Sequence, residues 1–138
     1  MNILTIIKRH EVFVISASEN VIAARQAVKK WAVEMGFSLS DQTKLITVTS
    51  ELVHNIVIYA QNGTMLMEEL DDKVRRGLRM TFHDDGPGIA DIDRAMQGGY
   101  STGSGLGLGL SGSKRLVDEF SLTSEVGKGT HIVVTRWK

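Results

Sequence analysis

Cysteine is absent from the 138 residues. That excludes disulfides, thiolate metal ligation and a cysteine nucleophile. A charge surplus is absent too: 16 basic side chains face 16 acidic ones. This balance argues against a protein that binds nucleic acid by neutralising phosphates. No apolar run reaches the roughly 18 residues that a membrane-spanning helix needs. The apolar start, Met1 to Ile7, is too short for a signal peptide and lacks its basic region and cleavage site, so a cytoplasmic protein is expected. What is present, 42% hydrophobic and 23% charged residues, suits one soluble domain over residues 1–138 with a real core.

Glycine is the informative residue. There are 14, and nine of them fall between Gly86 and Gly112. Pro87, Ile89, Ile92, Leu106, Leu108 and Leu110 are interleaved with them, so the segment does not read as a flexible linker. Glycine concentrated in this way suggests backbone brought close to a ligand, often a phosphate.

Hydrophobic periodicity places the elements. Ile3 to Ile15 reads as one or two strands, broken near Lys8–Glu11. Ser18 is a fitting cap for a first helix, with Glu19 in its first turn. Val21, Ala24, Val28, Trp31 and Met35 recur at helical spacing, and Gly36 ends the run. Ser40 is expected to cap a second helix with Asp41 in its first turn. Its stripe is Leu45, Val48, Leu52, Ile56 and Tyr59, and Asn62–Gly63 stops it. Thr64–Leu70 is expected as a strand and Asp71–Arg76 as a charged turn. Leu78, Met80 and Phe82 alternate with polar residues in another strand. A short helix is expected at 92–96 and a longer one from Leu110 to Glu119. Phe120–Val126 and Thr130–Trp137 form a last pair of strands around the Gly127–Lys128–Gly129 turn. Met65, Leu66, Met67 and Leu70 suit either a core strand or a pairing edge, the core strand being the simpler reading. This order predicts a two-layer α+β sandwich: a mixed, mostly antiparallel sheet with helices on one face.

Four local features carry chemistry. Glu51 and Asn55 stand four apart on the second helix, about 40° from each other around its axis. A carboxylate beside a carboxamide suits a base and an oxygen ligand for Mg²⁺, although a solvated helix edge would look the same. Asp84-Asp85-Gly86-Pro87-Gly88 ends a strand. Its acid could accept from an exocyclic amine, and its glycines let a flat ring approach, but a tight turn has the same composition. Gly105-Leu106-Gly107-Leu108-Gly109-Leu110 leads into a helix, where alternating glycines expose N–H groups to phosphate. It is not a Walker A loop, and too little chain follows for a dinucleotide domain. Lys114 and Arg115, in the helix that follows, could meet phosphate or simply be solvated. Gly127-Lys128-Gly129-Thr130 precedes the last strand, as a plain hairpin would.

In this order the four features resemble the ATP-binding fold of the gyrase, Hsp90, histidine kinase and MutL superfamily. Glu51 and Asn55 match the N box, Asp84-x-Gly86-x-Gly88 the first glycine box, Gly105 to Leu110 the second, and Gly129-Thr130 the last. The resemblance implies that Glu51 is the general base and that Asn55 binds Mg²⁺. It implies that Asp84 holds the adenine amine with help from Thr130. Gly105, Gly107 and Gly109 would lie at the phosphates, with residues 89–104 as a lid. Gly86, Gly88 and Thr102 complete the implied nucleotide-binding set.

Within that superfamily the chain is similar to the RsbT-type serine/threonine kinases of bacterial stress-signalling modules. The likeness is carried by Ala24-Arg25-Gln26, Ser50-Glu51-Leu52, Asn55-Ile56, Tyr59-Ala60, Gly86-Pro87-Gly88-Ile89, Gly99-Tyr100-Ser101-Thr102 and Arg115-Leu116-Val117-Asp118-Glu119-Phe120. Leu106 departs from the small polar residue usual in histidine kinases. A sensor kinase would also need a helical pair with a phosphoacceptor histidine. Here His10, His54, His83 and His131 are scattered without acceptor or metal-ligand spacing. The resemblance implies transfer of the ATP γ-phosphoryl group to a Ser or Thr of a small STAS-domain antagonist. It implies a phosphatase-type regulator as second partner in a partner-switching module. Two other readings stay open at this point: a nucleotide-dependent module that sequesters a regulator, as an anti-sigma factor does, and a stand-alone ATP hydrolase.

Overall fold

Period-two alternation in five segments and period-3.6 stripes in two are realised in the computed structural model, which describes residues 4–92, 96 and 109–138. The elements are β1 (Ile6–Ile15), α1 (Glu19–Met35), α2 (Leu39–Asn55), a π-helical turn (Ile56–Ala60), β2 (Gly63–Asp71), β3 (Arg76–Asp84), α3 (Gly109–Arg115), β4 (Glu119–Glu125) and β5 (Gly129–Trp137). The strands form one sheet in the order β1-β2-β3-β5-β4. Every pairing in it is antiparallel.

One sheet face is apolar. Met65 and Met67 of β2, Leu78, Met80 and Phe82 of β3, and Ile132 and Val134 of β5 are all buried. They share a core with Ala24, Val28, Trp31 and Met35 of α1 and Leu45, Val48, Leu52 and Ile56 of the α2 stripe. This is the two-layer α+β sandwich expected from the pattern. Because β2 lies between β1 and β3, its methionines belong to a core strand and not to a pairing edge.

Several local expectations are corrected. β1 is one continuous strand, and the expected break is a register shift between Ile7 and Arg9. Ser18 occupies the cap position of α1 but makes no capping bond. The Asn20 carboxamide ties down that turn instead, accepting from the N–H groups of Ser16 and Ala17. The cap of α2 is Ser38, not Ser40: its backbone is extended and its hydroxyl accepts from Asp41 N–H at 3.1 Å. A hydroxyl three residues before that N–H has the reach, whereas Ser40 is already inside the helix.

The second stripe also ends early. Gln61 N–H bonds to the Ile56 carbonyl, five residues back, at 2.7 Å. That wider turn rotates Tyr59 off the stripe, leaving it 44% exposed. α3 stops at Arg115, and Glu119 already belongs to β4. The helix expected at 92–96 lies largely outside the described residues. Among the described residues, no helix is long and apolar enough to cross a membrane.

Candidate nucleotide site at the end of β3

α2 delivers Glu51 and Asn55 to one place. Glu51 is 6% exposed and Asn55 is half-buried, at the last residue of the helix. Among the described residues, neither side chain has a hydrogen-bond or ion-pair partner. Glu51 is little exposed, and no described residue occupies its carboxylate, which leaves it available to a bound group.

The end of α2 packs on the end of β3. A Cβ added at Gly63 would sit 2.8 Å from Ile56 Cγ2 and 3.2 Å from Asp84 Cβ, so the residue after Asn55 and Asp84 meet over that glycine. A Cβ at Gly86 would likewise sit 2.6 Å from the Ala60 Cβ. The turn that follows Asn55 and the strand end at Asp84–Gly86 therefore pack against one another.

Asp84 has the parity of Leu78, Met80 and Phe82, so it faces the helix side of the sheet. Its Oδ1 accepts from Gly86 N–H at 2.9 Å, and no described residue bonds Oδ2. Its direct cross-strand partner is Thr130. The Thr130 hydroxyl lies 3.0 Å from Ser124 Oγ. Ser124 spends its one proton on the Gly129 carbonyl, at 2.9 Å, and accepts from Ile89 N–H at 2.8 Å. Thr130 is then the donor to Ser124, and its remaining capacity is as an acceptor. Asp84 Oδ2 and Thr130 Oγ1 together are acceptors of the kind an exocyclic amine requires.

Two glycines permit this closeness. Gly129 has φ +105°, and a Cβ there would overlap the Asp84 carbonyl. Gly88 has φ +77°, and a Cβ there would overlap the Glu125 carbonyl. Both backbone shapes are ones that other residues adopt only with strain. Gly127 N–H further ties the hairpin to the Pro87 carbonyl at 2.8 Å. Beside this loop lies an open hollow of about 640 Å³ that Ile89, Ile92, Ser124 and Val126 help to line.

α3 begins at Gly109 and packs against α2. Leu110 joins the core, and Lys114 and Arg115 are exposed in the last turn, at the other end from Gly109. The structure thus brings together Asp84, Gly86, Gly88 and Thr130, with Glu51 and Asn55 on the helix whose end packs there and Gly109 on a further helix against α2. Thr102, Gly105, Gly107 and Leu106, and the expected lid at 89–104 beyond Ile92, lie outside the described residues, Met96 excepted. Ser124 was missed by sequence reasoning. Its signal was a hydroxyl sitting where the inward alternation of Phe120 and Leu122 continues.

The donor set also bears on a metal. Among the described residues, no three His, Asp or Glu side chains converge as a cage. Mg²⁺ keeps few protein ligands and takes the rest from phosphate and water, so one carboxamide oxygen beside a carboxylate fits it and a cage is not needed.

A family model described as histidine kinase-, DNA gyrase B- and HSP90-like ATPase matches residues 40–138. The serine/threonine-protein kinase RsbT of Bacillus subtilis (strain 168) is 46% identical over 118 residues, covering 86% of this chain and 89% of that one. An anti-sigma F factor of Geobacillus thermodenitrificans is 30% identical over 127 residues, covering 86% and 85%. The crystal structure of the RsbU and RsbW domains of a Mycobacterium tuberculosis protein superposes with a TM-score of 0.67 at 18% identity, over 95% of this chain and 33% of that one. That last likeness concerns the fold alone. The chain belongs to the histidine kinase-, DNA gyrase B- and HSP90-like ATPase family, and within it to the RsbT-type serine/threonine kinases.

Proposed function

We propose that this family member moves the γ-phosphoryl group of ATP to a Ser or Thr hydroxyl of a STAS-domain antagonist protein, in the cytoplasm of a bacterium. The observation that carries the reading is Glu51, little exposed and without a partner among the described residues, on the same helix face as Asn55, on a helix whose end packs at the Gly63–Asp84 end of the sheet. A module that only holds nucleotide has use for Asn55 and Asp84 but no use for a buried base.

Each residue then has a task. Asp84 and Thr130 accept from the adenine amine, with Gly86 and Gly88 letting the ring lie close. The backbone N–H groups of Gly105, Gly107 and Gly109, with Thr102, receive the phosphates. Glu51 orients the acceptor hydroxyl and takes its proton. Mg²⁺, with Asn55 as its protein ligand, would neutralise charge on the phosphates. Residues 1–138 act as one domain. The phosphate adds about −1.5 to −2 of charge to the antagonist, which loosens a fitted interface. The freed kinase then engages a second partner, a phosphatase-type regulator.

Replacing Glu51 tests this. Glu51→Ala keeps ATP affinity and loses transfer to the antagonist by at least about 10²-fold, the usual contribution of a positioned base. Transfer at the wild-type rate would remove Glu51 from catalysis. The 30% identical anti-sigma F factor favours a second reading, sequestration of a regulator. In that case Glu51→Ala would leave partner binding and its nucleotide dependence intact, and the wild type would show no transfer to subtract from.

A further inference from the structure

The sheet face turned away from the helices carries a histidine pair for which phosphoryl transfer has no use. His83 of β3 and His131 of β5 are 48 residues apart in sequence and direct partners across the two strands. Both are exposed, while Phe82 and Ile132 beside them point into the core. Their Nδ1 atoms lie 3.3 Å apart. The rings meet edge to face, with centroids 5.5 Å apart. On its other side the His83 ring places Nε2 3.3 Å from Asp85 Oδ1.

Something must sit between two Nδ1 atoms that face each other, since two bare lone pairs repel. A shared proton is one solution, with 3.3 Å at the long end of N–H hydrogen bonds, which centre near 2.9–3.0 Å. A shared metal ion is the other. With metal–nitrogen bonds of about 2.0–2.1 Å in tetrahedral geometry, two imidazole nitrogens stand about 3.3–3.4 Å apart. Asp85 supports the second solution. Its Oδ1, 3.3 Å from Nε2, electrostatically favours a proton on that nitrogen and so the tautomer of His83 whose Nδ1 is a free lone pair.

The geometry points to a two-histidine site for a borderline-soft divalent ion, Zn²⁺, Ni²⁺ or Cu²⁺, held by the Nδ1 atoms of His83 and His131 with Asp85 fixing the first ring. Among the described residues no further His, Asp or Glu completes a cage. Water or a donor from another molecule takes the open positions. Mg²⁺ prefers oxygen and does not compete for two imidazoles. The site is independent of the nucleotide chemistry: Asp84 and Thr130 point to the opposite face from the same stretch of β3 and β5. An ion here would clamp those strands at the rung next to Asp84–Thr130.

Calorimetric titration of the chelator-stripped full chain with Zn²⁺ and with Ni²⁺ tests the site. One ion per chain is expected. His83→Gln and His131→Gln should each weaken binding by about tenfold or more, and Asp85→Asn by about tenfold. His10→Gln should leave affinity unchanged. Both histidines are exposed, so the variants keep the fold, which circular dichroism checks. Long-range ¹⁵N spectra should show the metal-induced shift on Nδ1. Equal affinity for wild type and both histidine variants, a shift on Nε2 alone, or no binding by the wild type would each overturn the site and leave a shared proton between the rings.

Discussion

Glu69 and Glu51 are both carboxylates taken out of water, 3% and 6% exposed, yet the protein treats them in opposite ways. Glu69 stands near the far end of β2 from Gly63 and is saturated. Arg9 Nε donates to its Oε1 at 2.7 Å, and Arg76 donates to its Oε2. Arg9 is itself held by Glu34 at 3.0 Å and lies 4.0 Å over the Trp31 ring. Glu51, next to the α2 terminus that packs on Gly63, has no partner among the described residues. One end of the sheet is finished as structure, and at the other no described residue holds the carboxylate.

The largest stability effect should come from stripping the finished end. Arg9→Ala combined with Arg76→Ala turns Glu69 into an unpaired buried carboxylate. A loss of about 3 kcal/mol is expected from denaturant unfolding, the low end for a stranded charge because both guanidiniums are partly in water. Either single variant should cost much less than half of that, since one arginine remains. A double-variant loss below about 1 kcal/mol, the value of an ordinary surface pair, would erase the contrast between the two ends.

The next effect belongs to the open end. Asp84→Asn keeps an oxygen for Gly86 N–H but loses the charge that strengthens a bond from an amine. ATP affinity should fall by about 1.5–3 kcal/mol by calorimetry. Glu69→Gln should leave that affinity unchanged. Wild-type affinity in Asp84→Asn would take Asp84 out of the nucleotide site.

A smaller effect distinguishes the two glutamates directly. Without nucleotide, Glu51→Gln should leave stability within about 0.5 kcal/mol of wild type, because no described ion pair or hydrogen bond is lost. Glu69→Gln should lower stability. A melting temperature that falls as far in Glu51→Gln as in Glu69→Gln would show that Glu51 is as well partnered as Glu69.

The strands and the two long helices were legible in the sequence because burial on one face imposes a period, as Leu78, Met80 and Phe82 or Leu45, Val48 and Leu52 do. The caps were less so, since Ser38 and Ser40 are both hydroxyls near the right place and only backbone geometry selects between them. The π-turn at Ile56–Ala60 leaves no periodic trace and follows from how α2 must meet Gly63 and Gly86. The Glu51–Asn55 spacing is local and could be read directly. The meeting of Asp84 with Thr130, and of His83 with His131, follows from β5 inserting between β3 and β4. No local pattern encodes that strand order.

Acid provides the last and finest comparison. Burial alone would push the Glu69 carboxyl up, but the hydrogen bonds from Arg76 and Arg9 outweigh it and hold it below the usual carboxylate range. Asp72, in the turn that joins β2 to β3, is also held low, first by the Arg75 backbone N–H and then by Val74 N–H and the Arg75 side chain. In the unfolded chain these groups take up protons near pH 4.3 and 3.9, where the native groups are still ionised. The unfolded state therefore binds more protons, and acidification favours it. The stabilisation is fully present above about pH 5 and is lost as the pH falls through those values toward the lowered native ones. The stability gap between wild type and Glu69→Gln, measured by urea unfolding, should be widest near neutrality and shrink as the pH drops below about 4. A gap that stays constant across that range would mean the two arginines do not hold Glu69 as a carboxylate, and the finished end of the sheet would no longer differ from the open one.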